Sequence, residues 1–208
     1  MDFVAQSQVM TVTRPLEVED ALQRLSDIHA QVARGAHFRG YRAVPVAAMG
    51  GIAVLGALLE SALMPGVSAA GHAWFWLGVA ATCASIGALD MFLIRRRLQI
   101  RTVSIAVAQL VPSLVVGLVL GVLFADRAEM LTGVWTMVFG LGVLASRPYM
   151  PDAVLGVALF YISAGIAMAF AASDGTVPSP WEMGLTFGVG QLVIARTLQG
   201  IPDEEDRV

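Results

Sequence analysis

Six apolar runs separated by short polar breaks dominate this sequence: Ala43 to Leu63, Ala73 to Ile94, Thr102 to Ala125, Met130 to Ala145, Ala153 to Ala172 and Trp181 to Leu198. The hydrocarbon core of a bilayer is about 30 Å thick and takes roughly 20 helical residues to cross. The runs lack the strict apolar-polar alternation of a barrel strand. Inside lipid the backbone must satisfy its own hydrogen bonds, and a helix does so within one segment. The expected fold is therefore all-α, a polytopic bundle of six transmembrane helices across residues 43–199. A cytoplasmic N-terminal arm, residues 1–42, precedes it, and a small acidic cytoplasmic tail, residues 200–208, follows. Composition agrees: 57% of residues are hydrophobic and 14% charged, against roughly 45–50% and about 25% in soluble domains.

The runs differ in length. The third holds 24 residues, about 36 Å of helix, whereas the fourth holds 16 and reaches about 24 Å. Tilt accommodates the long one, and a thinned or protein-covered position suits the short one.

Arginine placement sets an expected orientation, because basic residues in short loops stay on the cytoplasmic side. All 13 basic residues are arginine. With the N-terminus inside, Arg14, Arg24, Arg34, Arg39, Arg42, Arg95, Arg96, Arg97, Arg101, Arg147, Arg196 and Arg207 are cytoplasmic and only Arg127 is outside. Both termini then lie in the cytoplasm, and the expected location is a bacterial inner membrane. The arm shows no cleavable signal peptide pattern of a basic, then apolar, then small-residue segment. The sixth run is the weakest span, since Glu182 and Arg196 stand near its ends; both are placed to snorkel to an interface. Trp74, Trp76 and Trp181 fall at the outer surface and Tyr41 and Tyr149 at the inner one, as an aromatic belt would place them.

The arm carries a helix signature. Pro15 suits a first-turn position and Glu17, Glu19 and Asp20 complement the positive end of a helix. Val18, Leu22, Leu25, Ile28, His29 and Val32 recur every three to four residues, an amphipathic stripe that needs a surface to lie on. Arg34, Arg39 and Arg42, interleaved with Phe38 and Tyr41, then meet the membrane, where anionic headgroups attract arginines by about 1 kcal/mol each. These residues form the expected docking patch. Its partners are anionic lipid at the cytoplasmic face together with a protein partner or a second copy of the chain. No nucleic-acid partner is expected.

The spans are poor in chemistry. No Asp, Glu, Arg or His stands in the middle third of any run, whereas ion pumps, proton relays and voltage sensors use ionisable groups at depth. Glu60 is the deepest acid and the best single candidate for a functional carboxylate; a snorkelling end residue is the plainer reading. His29 and His37 lie in the arm, and His72 is placed at the outer surface, so haem with axial histidines is not expected. Cys83 is the only cysteine, which leaves no disulfide and no zinc site within one chain. Serines in the spans have no intramembrane histidine to serve as a base. No cofactor, metal or catalytic residue is assigned.

Neutral polar groups remain: Thr82, Ser85, Gln109, Ser113, Thr136, Ser163, Thr186 and Gln191, expected to hydrogen-bond between helices. Gln109 stands three residues before Pro112, which frees a carbonyl one turn earlier. With Gln191 and Glu60 these two form the candidate cavity lining. Gly117 with Gly121, and Gly184 with Gly188, permit close helix approach. The second and fifth runs share Gly78-Val79-Ala80 and Gly156-Val157-Ala158, and the third and sixth share Gln-Leu-Val at 109 and 191. An inverted repeat of three and three spans would produce such matches, although the two pairs stand at different offsets.

Together these features point to a non-enzymatic membrane protein that acts as an accessory or regulatory subunit through its arm. The alternative is a transporter or channel for a small neutral or amphiphilic solute, which requires a polar cavity at mid-membrane. An enzyme acting on lipid headgroups would need Glu60 or Asp90 to face a cleft.

Overall fold

The computed structural model describes residues 23–24, 43–98, 103–172 and 176–199. The chain divides into two units, Met1–His37 and Phe38–Val208; of the first only Gln23 and Arg24, both helical, are described. The docking candidates Leu22, Leu25, Ile28, His29, Val32, Arg34, Arg39 and Arg42, and the acidic tail, lie outside the described residues.

The second unit is all-helical among its described residues. Its helices are α1 (Ala43–Leu63), α2 (Ala69–Leu98), α3 (Val103–Leu123), α4 (Ala128–Ala145), α5 (Val154–Ala171) and α6 (Pro180–Gln199), with a 3₁₀ turn at Arg147–Tyr149. Four are long and apolar enough to cross a bilayer: α1, residues Ala69–Leu93 of α2, α4 and α5. This makes the chain a multi-pass membrane protein by helix length and composition. α3 is a helix of 21 residues, apolar along Ala108–Leu123, and α6 is more polar, with Glu182 in its first turn and Arg196 in its last.

The largest departure from the sequence expectation is the start of α2. The run was expected to begin at Ala73, with His72 in the preceding loop; the helix begins four residues earlier. Ser68 is the reason. Its Oγ accepts the backbone N–H of Gly71 at 3.1 Å, an N-cap bond to a first-turn amide that nothing inside the helix can satisfy. Met64-Pro65-Gly66-Val67 joins α1 to that cap as a tight turn. The Val67 N–H donates to the Met64 carbonyl at 3.2 Å and Gly66 has φ +75°, the left-handed backbone that a type II turn demands after proline.

Contacts define two ends of the bundle. Ala73 near the start of α2 packs with Ala125 and Leu131, which flank the start of α4, and the α1–α2 and α5–α6 connections line one cavity. This end holds Glu60, Asp126, Glu129 and Glu182 against Arg127, and is called here the acidic end. At the other end Val46 packs with Ile194 and Leu198, and Val143 with Val154. That end holds Arg95, Arg96, Arg97, Arg147 and Arg196 against Asp90 and Asp152, and is the arginine end.

α1 packs most extensively on α6, and α4 on α5; α3 lies on α4, while α2 touches α1, α3 and α4 only slightly. The close pairs meet through glycine. A methyl placed on Gly133 would sit 2.7 Å from the Gly165 carbonyl oxygen, and one on Gly165 would sit 2.6 Å from the Gly133 oxygen. Gly184 and Gly188 face α1, where a methyl on Gly188 would meet Val54 at 2.6 Å. Gly117 and Gly121 instead admit the indole of Trp135, whose Nε1 donates to the Gly117 carbonyl at 2.7 Å. The middle of the bundle is filled by Phe139, Tyr161 and Phe187, with ring centroids 5.0 to 5.4 Å apart. Gly190 leaves the space that the Tyr161 hydroxyl occupies.

α4, the helix of the shortest run, is also the most covered, half of its length being buried by its neighbours. That is the protein-covered position a short span requires. The two halves are packed differently, since α4 lies closely on α5 whereas α1 and α2 meet only lightly.

Backbone, which cannot move aside as a side chain can, is what a methyl at Gly165 would strike. Gly165→Ala should lower stability by about 1–3 kcal/mol, the usual cost of overpacking. Gly156→Ala, at a site with open space around it, should be neutral or stabilising by up to about 1 kcal/mol. Thermal unfolding of both variants in one mild detergent compares them; equal melting temperatures would contradict the close-approach account.

Candidate functional site

Glu60 sits in the last turn of α1, and its carboxylate turns into the bundle. The helix geometry explains how it is met. Ser68 starts α2 early enough to bring His72 into its first turn, and Trp76 follows four residues later on the same face. His72 Nδ1 stands 2.5 Å from Glu60 Oε1 and Trp76 Nε1 donates to Oε2 at 2.7 Å. All three side chains are closed off from the surface, with exposures of 1% for Glu60, 1% for His72 and 3% for Trp76.

The surroundings are apolar. Trp76 packs with Ala57 and Met183, and Phe75, Val79, Trp135, Trp181 and Phe187 close around them. A carboxylate in such a setting is tolerated only when its oxygens are bonded, and here each oxygen has one donor. The imidazole is bonded on one side alone: His72 Nε2 is buried and without a partner. Trp76 also stands edge-on to Phe75, with centroids 5.9 Å apart.

Beside this cluster a cavity of about 520 Å³ opens at the acidic end. Glu60 and Ser61 of α1 form part of its wall, the Met64-Pro65-Gly66-Val67 turn another part, and Val177, Pro178, Ser179 and Pro180 the remainder. The last of these segments is fixed by a capping arrangement. Pro180 occupies the first position of α6, where its missing N–H matters least. Glu182 Oε1 accepts the Ser179 N–H at 3.2 Å, one half of a capping box. A second, smaller cavity of about 360 Å³ lies between α3 and α4, lined by Leu120, Phe124, Arg127, Met130, Leu131 and Val134.

The other sequence candidates are scattered. Gln109 and Pro112 are exposed on α3, which continues as a helix through the proline. Gln191 is half-buried on α6, with its Cβ close to Gly50 of α1. Of the four proposed lining residues, Glu60 stands at a described cavity. Two expectations are corrected. His72 lies in the first turn of α2 and not in the loop before it, with its side chain buried. Trp76 is an interior hydrogen-bond donor and not a belt residue, whereas Trp74 is 55% exposed. The hydroxyls expected to link helices mostly turn back on their own, Thr82 to the Gly78 carbonyl, Ser85 to Ala81, Thr136 to Thr132 and Ser163 to Phe160, although Thr136 also reaches Met168 Sδ of α5 at 3.9 Å. Each backbone bond is i to i−3 or i−4, the one nearest to hand for a hydroxyl in a helix.

His72 is the member of this cluster that sequence reasoning missed, because the helix start was read from hydropathy alone. The signal was Ser68, an N-cap type at the right distance before the apolar run. Among the described residues no three of His, Cys, Asp and Glu gather to hold a metal ion.

Fold and site together define a multi-pass helical membrane protein with a buried carboxylate, imidazole and indole cluster at one end. No family model, no curated protein and no solved structure matches the chain.

Removing the carboxylate would strand two buried donors. Glu60→Ala should destabilise the bundle by about 3 kcal/mol or more, and Trp76→Phe, which deletes one donor and trims the indole to a smaller ring, by about 1–3 kcal/mol. Unfolding of the two variants in detergent measures the difference; a Glu60→Ala protein as stable as the parent would mean that the cluster contributes nothing to the fold.

Proposed function

We propose that this protein is a non-enzymatic subunit of a bacterial inner membrane, with six spans and both ends in the cytoplasm, that works by holding another membrane protein or a second copy of itself. The observation that carries the reading is the contrast between two uncovered helix faces. α3 exposes Val111, Leu114, Val115, Val116, Leu118, Val119, Val122 and Leu123, the bulky surface that lipid chains cover. α2, of which only 6% of the spanning segment is buried, exposes Gly78, Ala81, Thr82, Ser85 and Ala88. Those residues recur at three- and four-residue spacing along one face. Small and hydroxylated residues on a membrane helix let another backbone come close, and association in lipid depends on that approach. The amphipathic arm supplies a second docking element on the cytoplasmic side.

The topology in this proposal rests on charge. The arginine end faces the cytoplasm and the acidic end faces outward, as basic flanks are retained inside. α6 crosses with Glu182 and Arg196 at its two ends, where each reaches an interface.

A second reading, a carrier for a small neutral or amphiphilic solute, is favoured by the cavity beside Glu60. Phe139, Tyr161 and Phe187 fill the middle of the bundle, where a carrier needs its binding cavity. The docking reading therefore stands first. An enzyme would need Glu60 free to exchange protons with a substrate, and both of its oxygens are engaged.

Two measurements test the proposal. In a Cys83→Ala background, a cysteine at Met64 should react with a membrane-impermeant maleimide in intact cells, and one at Gln199 only after permeabilisation. The reverse pattern would invert the topology. Gly78→Leu with Ser85→Leu should strip away a partner or second copy that co-purifies in mild detergent, while Val119→Leu on α3 should not. A parent protein that purifies alone, with or without residues 1–42, would end the docking reading.

A further inference from the structure

We propose that the cavity at the acidic end binds a primary ammonium group carried on an apolar body. The inference stands apart from the docking reading, since it concerns the end of the bundle and not the face of α2.

Size and lining come first. A volume of about 520 Å³ falls within the range of small-molecule pockets, roughly 300–1,000 Å³. Most of the described wall is apolar, from Met64, Val67, Val177 and three proline rings, and among the described lining residues Glu60 is the one that is charged. Such a wall favours a ligand with a hydrocarbon body and a single polar head.

Chemistry then selects the head. A carboxylate offers about four lone-pair positions; His72 and Trp76 take one each, so Glu60 has acceptor positions left for a further donor. The cluster also lacks a permanent cation. Among the described residues no arginine bonds Glu60, and Arg127 is exposed in the turn between α3 and α4. The unpartnered His72 Nε2 marks the cluster as incompletely satisfied. An ammonium supplies both a positive charge and three donors, and its hydrogen bonds to a carboxylate are among the strong ones. Asp126, Glu129 and Glu182 at the same end add a field that draws cations and repels anions. A quaternary ammonium has no N–H to donate and is held by aromatic faces, and none of the lining residues is aromatic.

The same head occurs on free amphiphilic amines and on phosphatidylethanolamine, and one experiment separates the two sources. The full chain is placed in phosphatidylcholine nanodiscs and titrated with octylammonium, octanol and octanoate, with empty discs as the blank. Isothermal titration calorimetry against the empty-disc blank reports binding. Octylammonium should bind saturably and octanoate should not. Glu60→Gln should weaken octylammonium binding about tenfold or more. Val177→Trp, which fills the cavity and leaves the carboxylate in place, should abolish binding without altering the melting temperature; it keeps the test valid if Glu60→Gln fails to fold. Repeating the titration in discs containing phosphatidylethanolamine assigns the source. Suppressed octylammonium binding identifies the lipid headgroup, unchanged binding identifies a free amine, and both support the site. Equal binding of the three probes, or binding that survives Val177→Trp, overturns the proposal.

Discussion

Close backbone approach is the interaction on which this bundle depends. In lipid the hydrophobic effect does not drive one apolar helix onto another, so association rests on dispersion and hydrogen bonds between surfaces that must touch. Dispersion fades within an ångström of lost contact. Gly133 against Gly165, and Gly184 and Gly188 against Gly50, Ala53 and Ala57, bring the backbones of α4 and α5, and of α1 and α6, to that distance. Aromatic side chains then fill the spaces that glycine leaves: Trp135 against Gly117 and Gly121, and Tyr161 against Gly190. Large and small residues interlock, and the interior is closed at mid-depth.

With the centre closed in this way, the polar cluster has its place at the acidic end. A buried carboxylate at mid-membrane would have needed donors carried by helices already in backbone contact. Near the end of α1 the first two turns of α2 supply two donors from a single face, and the type II turn at Pro65-Gly66 holds that helix start within reach. The cluster thereby ties α1 to α2, a pair that otherwise touches lightly. Hydrogen bonding stands in here for the glycine contacts used elsewhere.

The class of fold was legible in the sequence because hydropathy over 20 residues is a coarse, additive signal. Six spans were expected from it, and four helices of spanning length and polarity stand among the described residues, with α1 matching its expected limits at Ala43 and Leu63. The small-residue pairs were legible as well, although their targets were not: Gly184 and Gly188 meet a neighbouring helix, while Gly117 and Gly121 meet an indole. Glu60 could be singled out as the deepest acid. Its partners could not, because pairing across 12 and 16 residues depends on where α2 begins, and hydropathy places a helix end only to within several residues. One serine shifted that boundary and carried His72 from the preceding loop into the first turn of α2. Hydroxyls misled for a related reason. Their residue type says that they will bond, but whether the acceptor lies on their own helix or the next depends on geometry that spacing does not encode.

Exposure has two meanings in a membrane protein, and residue type separates them. An exposed leucine or valine on α3 is at home in hydrocarbon, so its exposure carries no information about partners. An exposed glycine, threonine or serine on α2 gains nothing from lipid chains: Thr82 and Ser85 satisfy their own hydroxyls within the helix and present a narrow, nearly featureless surface. A narrow surface is of use to another helix, which can lie along it closely. The same reasoning assigns the face of α1 that meets α6, built from Gly50, Ala53 and Ala57, and there the partner is present. α2 repeats that composition with no such partner among the described residues, and it is this repetition, more than the bare fact of exposure, on which the proposed interface rests.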